Sequence, residues 1–434
     1  MANLACSRKA WDAFPVLDGS RAAKAPERSL RPSKKTDRKG AGRRLPVRLG
    51  EYELFDHVAR GGMADIYRAR RDGDFGVVRE LCIKEVLPEL SSSERLAGLL
   101  TDEAKLAAKL DHANIVRIED LRHESGTLFI AMEFVDGLDL RELLRGSAKK
   151  GLKIPSELAL FISAEVLRAL DYAHRFTFDA DGGGQNVGIV HRDVSPSNVL
   201  LSFAGEVKLC DFGIAKSYEG IEDRATDTDL SAGMVEGKAG YMSPEQARGE
   251  PLDGRADVFA AGIILWELLT GRKLYKATEG LSLFDIARRG TVKPLPELGL
   301  PAEHALRAIV DRALARNRED RYPTAEAMLE DVESYAVRAK KLAGSPALRR
   351  FLEDHFAEAA RITRRRRELA TTALSRGPAA TITEIPPVVV ATTIVAPTAV
   401  AVPEQGSTAR AAFALALALL VTLAVMGWLL LTPR

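Results

Sequence analysis

The sequence predicts an α+β fold, because patterns typical of strands and patterns typical of helices occupy separate stretches of its 434 residues. Two alternating apolar runs flank the small residues of segment 59–64, which predicts a strand, a turn and a second strand. A second hairpin is predicted within residues 199–209. Helices are predicted where leucines recur on one face between residues 99 and 110, and in the apolar run within residues 257–271.

The second hairpin brings polar side chains together. It is predicted from two short segments rich in apolar and β-branched residues, Val199–Leu201 and Val207–Leu209, which a short turn joins. Asp193 and Asn198 precede the hairpin and Asp211 follows it, so the chain reversal returns Asp211 to the other two. Such groups can hold divalent cations at phosphate oxygens and accept a proton from an attacking hydroxyl. Each residue alone is equally typical of a surface loop, but their joint spacing favours a site for a nucleotide triphosphate.

The segment HRDVSPSNVLLSFAGEVKLCDFG resembles the catalytic loop and DFG motif of the protein kinase family, in its bacterial (Hanks-type) serine/threonine branch. The resemblance extends over about residues 52–336. It implies a two-lobed fold, with a small β-rich N-lobe and a larger helical C-lobe, and transfer of a phosphoryl group from ATP to Ser or Thr hydroxyls of protein substrates. Asp193 would be the catalytic base, while Asn198 and Asp211 would hold Mg²⁺, with Mn²⁺ as an alternative ion.

The resemblance also implies a glycine-rich loop over the phosphates and a lysine that contacts them. Lys84 follows a strand-like run and matches the lysine that binds the α- and β-phosphates. Alanines at positions 59 and 64 replace glycines of the usual pattern, and a plain hairpin turn is the alternative interpretation. The residues of this predicted phosphate loop are Val58, Ala59, Arg60, Gly61, Gly62, Met63, Ala64, Asp65 and Ile66.

The remaining nucleotide-binding residues are predicted on a helix and at a hinge. Glu103 falls on the apolar face of its helix, where an ionised group is costly unless paired, and the resemblance proposes Lys84 as its partner. The alternative is a carboxylate that reaches water at the edge of the apolar face. In the hinge, backbone groups of Glu133 and Val135 would hold adenine and Asp139 would reach the ribose. The same segment could equally be a buried strand followed by a turn.

Two departures from the family pattern bear on activity. Ser195 stands where the family usually has a lysine, and Lys238 where it has a threonine. One cation near the phosphates is therefore missing, and Lys238 is a candidate replacement. The missing lysine at Ser195 and the alanines of the predicted phosphate loop keep a pseudokinase scaffold as the alternative function, whereas retention of Lys84, Glu103, Asp193 and the metal-binding residues favours an enzyme. Tyrosine specificity stays open, while the Ser-Pro-Glu segment disfavours a small-molecule kinase.

Three more positions follow from the same resemblance. Asp257 is expected to brace the backbone of the catalytic loop, and Arg321 to pair with Glu245. The polar segment before residue 243 corresponds to the activation loop, where a phosphate could pair with Arg192. An unmodified loop is the alternative. The candidate phosphorylation sites are Thr226, Thr228 and Ser231.

The sequence divides into six segments. Residues 1–49 are rich in Lys and Arg and predict a disordered, solvated tail without a secretory signal. Residues 50–336 form the predicted kinase domain, 337–376 a basic helical juxtamembrane extension, and 377–410 a linker rich in Pro, Thr, Ala and Val. Residues 411–431 form the predicted transmembrane helix, and 432–434 a short tail.

The run from Ala411 to Leu431 is uncharged and long enough to cross a hydrocarbon layer of about 30 Å. Basic residues at 361–367 and at Arg410 lie before it, so the positive-inside rule predicts a single-pass protein of the cell (inner) membrane with a cytoplasmic kinase domain. The formal net charge of +2 says little about partners, and no specific nucleic-acid partner is expected. Binding of the basic tail to anionic lipid or nucleic acid is the alternative to a solvated tail. A dimer for autophosphorylation in trans stays open, and three cysteines are too few for a disulfide framework.

Overall fold

The structure is a computed structural model that describes residues 45–61, 64–73, 75, 77–88, 94–124, 126–178, 185–186, 188–212, 239–278 and 280–376. Within these ranges the chain forms a β-rich N-lobe followed by a larger, mainly helical C-lobe. This is the two-lobed α+β arrangement that the sequence predicts. The predicted tail, linker and transmembrane segment lie outside the described residues. Among the helices that are described, none combines the length and the apolar composition needed to cross a bilayer.

The N-lobe is built on one antiparallel sheet of six strands in the order β1-β2-β3-β4-β6-β5. Its strands are β1 (Val47–Leu49), β2 (Tyr52–Arg60), β3 (Ala64–Asp72), β4 (Val78–Val86), β5 (Ile118–Glu124) and β6 (Thr127–Glu133). Helix α1 (Glu94–Ala107) connects β4 to β5 in the chain. In β4, Leu81 and Ile83 are buried in one core cluster, and the alternation of a strand places Cys82 and Lys84 on the other face. That face of β4 belongs to the candidate site.

The C-lobe packs its helices around α5, which is buried along nearly its whole length. The helices are α2 (Leu140–Lys150), α3 (Ser156–His174), α4 (Pro244–Arg248), α5 (Gly254–Thr270), α6 (Leu283–Arg289), α7 (Glu303–Ala313), α8 (Ala325–Arg338) and α9 (Ser345–Arg376). Because α5 is apolar on all sides, it can only be stable inside the lobe. It therefore forms the support on which the catalytic segments rest.

Two small sheets complete the fold. Strands β10 (Val199–Ser202) and β11 (Val207–Leu209) form an antiparallel hairpin, and β10 also pairs with β7 (Gly137–Asp139). The predicted hairpin is thus confirmed, with its first strand one residue longer than expected. Strands β8 (Thr177–Phe178) and β9 (Gln185–Asn186) form the other sheet. The order β11-β10-β7 ties the hairpin to the segment that follows the hinge.

The packed core continues beyond residue 336, into the segment predicted as a juxtamembrane extension. Leu348, Phe351, Leu352 and Phe356 of α9 are all buried in the C-lobe core cluster. The helix then kinks, since Phe356 has non-helical backbone angles (φ −126°, ψ 19°). The first third of α9 is therefore an integral part of the C-lobe.

A buried ion pair joins α4 to the segment before α8, as expected from the sequence. Arg321 donates to both carboxylate oxygens of Glu245, at 2.6 and 2.8 Å, and both side chains are almost completely buried. Arg321 also donates to the carbonyl oxygens of Ala315, Arg255 and Arg316. Burial raises the pKa of Glu245, but hydrogen bonds and charge from Arg321 outweigh it, so the pKa lies below the usual value of 4.5. The pair is fully hydrogen-bonded, which a buried ion pair requires.

We predict that Arg321→Met lowers the free energy of unfolding by about 3–5 kcal/mol at pH 7, because it leaves the Glu245 charge buried without a partner. Urea unfolding of both proteins measures the difference. In the wild type, the depressed pKa stabilises the fold above pH 4.5 and this contribution is lost in acid. In the variant, burial without the Arg321 partner raises the pKa of Glu245, so the free energy of unfolding falls as the pH rises and Glu245 ionises. The difference between the proteins should therefore grow from pH 4 to pH 7, and a constant difference would contradict the proposed cause.

Candidate active site

The carboxylate of Asp257, near the start of α5, organises the catalytic loop. Its oxygens accept hydrogen bonds from the backbone amides of His191 (2.7 Å) and Arg192 (2.9 Å). The Nε2 atom of His174 lies 2.8 Å from the same carboxylate, which is 2% exposed. Burial raises the pKa of Asp257, but these hydrogen bonds and the His174 charge outweigh it and leave the pKa below its usual value. Arg192 is thereby held at φ 63°, a left-handed conformation that is costly for a non-glycine residue.

His191 connects the catalytic loop to the strand that carries the predicted metal ligand. Its ring is fully buried, and burial lowers its pKa, so the imidazole is neutral at pH 7. The Nδ1 atom accepts from the amide of Asp193 at 3.2 Å, so Nε2 carries the proton and donates to the carbonyl oxygen of Cys210 at 3.0 Å. The ring also packs against Phe212, with centroids 4.5 Å apart. One side chain thus fixes the loop and the strand relative to each other.

Asp193, Asn198 and Asp211 converge as the hairpin prediction requires. The Nδ2 atom of Asn198 donates to the backbone oxygen of Asp193 at 2.8 Å and to its Oδ2 at 3.1 Å. The amide of Cys210 donates to the Asn198 carbonyl at 2.9 Å, which places Asp211 one residue beyond this contact. Asp211 has φ 61°, a second left-handed residue in the same site. Strained backbone of this kind is typical of functional sites.

Lys84 of the N-lobe contacts Asp211 of the C-lobe. Its Nζ donates to the Asp211 Oδ1 atom at 2.7 Å, with side chains 17% and 34% exposed. Burial lowers the pKa of Lys84, but the Asp211 charge and hydrogen bond outweigh it and raise the pKa above its usual value. The lysine is therefore a cation in the cleft. The Glu103 side chain, its predicted partner, lies outside the described part of the structure, so that pairing stays a prediction.

The predicted phosphate loop is a strand-turn-strand unit in its described part. Strands β2 and β3 pair Ala59 with Ile66 and Arg60 with Asp65. The Gly61 amide donates to the Ala64 oxygen at 2.8 Å, which starts the turn. Val58 at the end of β2 is 39% exposed. Gly62 and Met63, at the tip, lie outside the described residues.

The predicted hinge residues have further contacts of their own. The carboxylate of Glu133 forms an ion pair with the Lys208 amine at 2.9 Å. The backbone amide of Glu133 donates to the carbonyl oxygen of Arg117. Asp139 caps helix α2, since its Oδ1 atom accepts from the Glu142 amide at 2.7 Å. An apolar cluster beside the hinge contains Met132 of β6, and Val135, Cys82 of β4, Leu200 of β10 and Cys210 pack against it. Apolar side chains from both lobes therefore meet beside the hinge, as a pocket for a flat base requires.

Of the two departures from the family pattern, the structure describes Ser195 but not Lys238. Ser195 is buried (3% exposed), and its hydroxyl lies 3.0 Å from that of Ser197. It supplies no charge to the cleft. Lys238, its suggested replacement, lies outside the described residues, as do Thr226, Thr228 and Ser231.

Two contacts of the site were not anticipated from the sequence. His174 reaches Asp257 across 83 residues of chain, and Gln246 donates to the carbonyl oxygen of Arg192 at 2.7 Å. His174 is the last residue of α3 and Gln246 lies within the short helix α4, and no local pattern indicates such a role for either residue. Only the tertiary packing of α3, α4 and α5 brings them to the catalytic loop.

The donor set fits a hard divalent cation. Asp211 and Asn198 offer carboxylate and amide oxygens, the ligands that Mg²⁺ prefers. In the described part of the chain, no cluster of three or more His, Cys, Asp or Glu side chains is arranged to hold a metal. A Mg²⁺ ion usually keeps water and substrate phosphates among its ligands, so two protein ligands would be enough for a metal that arrives with a nucleotide.

Two lobes with these groups at the cleft between them match the architecture of a phosphoryl-transfer domain. The profile of the Pkinase family, described as the protein kinase domain, matches residues 52–332. The chain therefore belongs to the protein kinase family.

The similar proteins include one named a tyrosine-protein kinase and others named serine/threonine-protein kinases. The tyrosine-protein kinase MasK of Myxococcus xanthus is 40% identical over 333 residues, 76% of this chain and 50% of MasK. The serine/threonine-protein kinase PksC of Streptomyces coelicolor is 34% identical over 314 residues, 71% of this chain and 52% of PksC. The serine/threonine-protein kinase PknB of Mycobacterium tuberculosis is 34% identical over 287 residues, 65% and 42% of the two chains. The chain thus spans about half, or less, of these relatives.

A solved structure supports the fold. A crystal structure of a mutant PknI kinase domain from Mycobacterium tuberculosis superposes with a TM-score of 0.50 and 25% identity. The match covers 67% of this chain and 98% of that domain. The two-lobed kinase architecture is therefore shared.

We predict that Asp257→Asn lowers the rate constant for phosphoryl transfer by about 100-fold, with a much smaller change in the KM for ATP. Asn keeps one acceptor oxygen, but its NH₂ group would face one of the two backbone amides, which is itself a donor. The loop that carries Asp193 would therefore shift, and displacements of about 1 Å can have this effect. Steady-state kinetics measures both parameters. Asp253→Asn, at the N-cap of the same helix, is the control. Equal losses in both variants would mean that α5 stability, rather than loop position, is responsible.

Proposed function

We propose that this chain is an ATP- and Mg²⁺-dependent protein kinase that transfers the γ-phosphoryl group to Ser or Thr hydroxyls of proteins, including its own. The observation that carries the proposal is the convergence of Lys84, Asp193, Asn198 and Asp211 at one cleft between the lobes. Family membership supports it. Protein substrates rather than small molecules are supported by the Ser-Pro-Glu segment, which α4 and its buried Glu245 hold in place.

Each residue has a definite task in this proposal. Asn198 holds the Oδ2 atom of Asp193, which fixes the carboxylate in the orientation needed to accept the proton of the attacking hydroxyl. Lys84 would bind phosphate oxygens, and Asp211 and Asn198 would hold the metal, which would supply positive charge at the phosphates. Alignment and charge neutralisation account for most of the acceleration in such reactions.

We predict that purified protein incubated with γ-labelled ATP and Mg²⁺ becomes labelled, and that Asp193→Asn and Lys84→Met lower the labelling rate by about 10³-fold or more. The first variant removes the proton acceptor and the second removes the cation at the phosphates. Labelling is followed over time by autoradiography. Lys208→Met, which removes another lysine near the hinge, is the matched control and should retain most of the activity.

Equal labelling of wild type, Asp193→Asn and Lys84→Met would contradict the enzyme proposal. Absence of labelling together with intact nucleotide binding would instead favour a pseudokinase scaffold, for which the uncharged, buried Ser195 is the supporting observation. Phosphopeptide mapping of the labelled protein would show whether Thr226, Thr228 or Ser231 is modified. A product without phosphate at any of the three would contradict their assignment.

Tyrosine is the second candidate acceptor. It is favoured by the name of the relative MasK, which shares 40% identity with this chain. The many relatives named serine/threonine kinases, PksC and PknB among them, favour the first candidate. Acid hydrolysis of the labelled protein and separation of phosphoamino acids distinguishes the two, because only phosphotyrosine would appear if the second candidate were correct.

We further propose that residues 411–431 anchor the protein in the cell membrane with the kinase domain in the cytoplasm. The uncharged run and the basic residues before it support this proposal. We predict that the protein resists extraction from membranes at alkaline pH, and that Leu419→Arg makes it extractable, because an arginine at the centre of a span costs about 2.5–3.5 kcal/mol. Leu419→Ile is the control. Extraction of the wild type at alkaline pH would contradict the anchor.

A further inference from the structure

Helix α9 follows the hinge side of the C-lobe. At its start, the Ser345 oxygen lies so close to Gly205 that an added Cβ there would be 2.0 Å away. Gly205 belongs to the turn between β10 and β11, and this turn contacts the hinge because the Phe203 amide donates to the Asp136 oxygen at 2.9 Å. The helix therefore begins beside the hinge.

The helix next passes α2. A Cβ at Gly146 of α2 would lie 2.5 Å from the ring of Phe356, so the ring is packed directly on the helix backbone. Lys150, the last residue of α2, donates to the carbonyl oxygen of His355 and lies over the Phe356 ring. These contacts anchor α9 at its kink on the helix that Asp139 caps.

Helix α9 also contacts β2 of the N-lobe. Since the residues up to Phe356 are buried in the C-lobe core, we assign this contact to the part of the helix after the kink. That part has 20 residues and, at 1.5 Å per residue, a length of about 30 Å. Strand β2 ends at Arg60 and leads directly into the predicted phosphate loop. The helix thus bridges α2 and β2, two elements on opposite sides of the candidate nucleotide cleft.

The burial pattern after the kink shows which face of the helix is turned to the protein. Ala359, Ala360 and Thr363 are partly buried, and their spacing of one to four residues places them on one face of the helix after the kink. Ala357 and Arg364, which flank this face, are exposed. The partly buried side chains are small, so the helix backbone can lie close to what it covers.

We propose that α9 beyond Phe356 is a regulatory strap that holds β2 against the C-lobe and weakens nucleotide binding until the strap is released. This proposal rests on the nucleotide site proposed above. In this arrangement the Lys84 amine donates to the Asp211 carboxylate at 2.7 Å, and phosphates and metal would compete with this contact. A contact that stabilises this arrangement lowers the apparent affinity for a ligand that must disrupt it.

Linkage makes the effect reciprocal. If release of the strap strengthens nucleotide binding by some factor, bound nucleotide favours release by the same factor. Couplings of this kind typically amount to about 5-fold or more. The rate of trypsin cleavage at the exposed arginines of the strap measures its release, because trypsin cleaves after arginine only where the chain can unfold from its helix.

The test uses the full-length protein in detergent. Ala360→Glu places a charged, longer side chain on the partly buried face, and Ala357→Glu makes the same change on the exposed face as the matched control. Titration with a fluorescent ATP analogue and Mg²⁺ should give a Kd about 5-fold lower for Ala360→Glu than for wild type, and an unchanged Kd for Ala357→Glu. In wild type, saturating analogue should accelerate trypsin cleavage at residues 361–365 by a similar factor.

The outcomes separate the two proposals. Nucleotide binding with the same Kd in wild type and Ala360→Glu, or equal tightening by both glutamates, would overturn the strap alone. Slower or unchanged cleavage with nucleotide would also overturn it, and this measurement needs no substitution. If neither wild type nor Ala360→Glu binds nucleotide, the nucleotide site itself is wrong and the strap proposal falls with it.

Discussion

The burial of one carboxylate, that of Asp257, is the constraint on which the catalytic segments depend. An ionised carboxylate in a protein interior is costly unless its oxygens are hydrogen-bonded. Here the donors are the backbone amides of His191 and Arg192 and the ring of His174. The requirement to satisfy one buried charge therefore fixes the backbone immediately before Asp193. The strained conformation of Arg192 persists because these hydrogen bonds hold it.

The other catalytic residues are positioned by side-chain hydrogen bonds and not by secondary structure alone. The imidazole of His191 bonds to the carbonyl oxygen of Cys210, and the amide of Asn198 bonds to the carboxylate of Asp193. The last step crosses between the lobes, where Lys84 meets Asp211. The site is therefore complete only when the N-lobe and the C-lobe are correctly placed relative to each other. This explains why a helix that contacts both lobes could control it.

The sequence was sufficient for the parts of the structure that depend on local pattern. The hairpin 199–209 follows from β-branched residues around a turn, and its register places Asp211 next to Asn198. The Asp257 brace and the Arg321–Glu245 pair were also predicted, through resemblance to the kinase family. The contacts of His174 and Gln246 were not predicted, because each residue acquires its role from the packing of helices that are distant in the sequence.

Helix α9 shows a different limit of sequence reasoning. Its periodicity and basic end predicted a helix, and the helix is present. No local pattern predicted that Phe356 would pack on Gly146. The glycine is needed because the Phe356 ring, 210 residues away in the sequence, fills the space that a side chain at position 146 would occupy. In the described part of the structure Lys84 contacts Asp211. The side chain of Glu103 lies outside that part, so its predicted pairing with Lys84 stays a prediction.

The central claim is that Lys84, Asn198 and Asp211 together hold a metal-loaded nucleotide triphosphate. Isothermal titration of wild type and Asp211→Asn with a non-hydrolysable ATP analogue, with and without Mg²⁺, tests it most directly. We expect one binding site in the wild type, with an affinity that rises at least 10-fold when Mg²⁺ is present, and no Mg²⁺ effect in Asp211→Asn. An equal Mg²⁺ effect in both proteins would contradict the account.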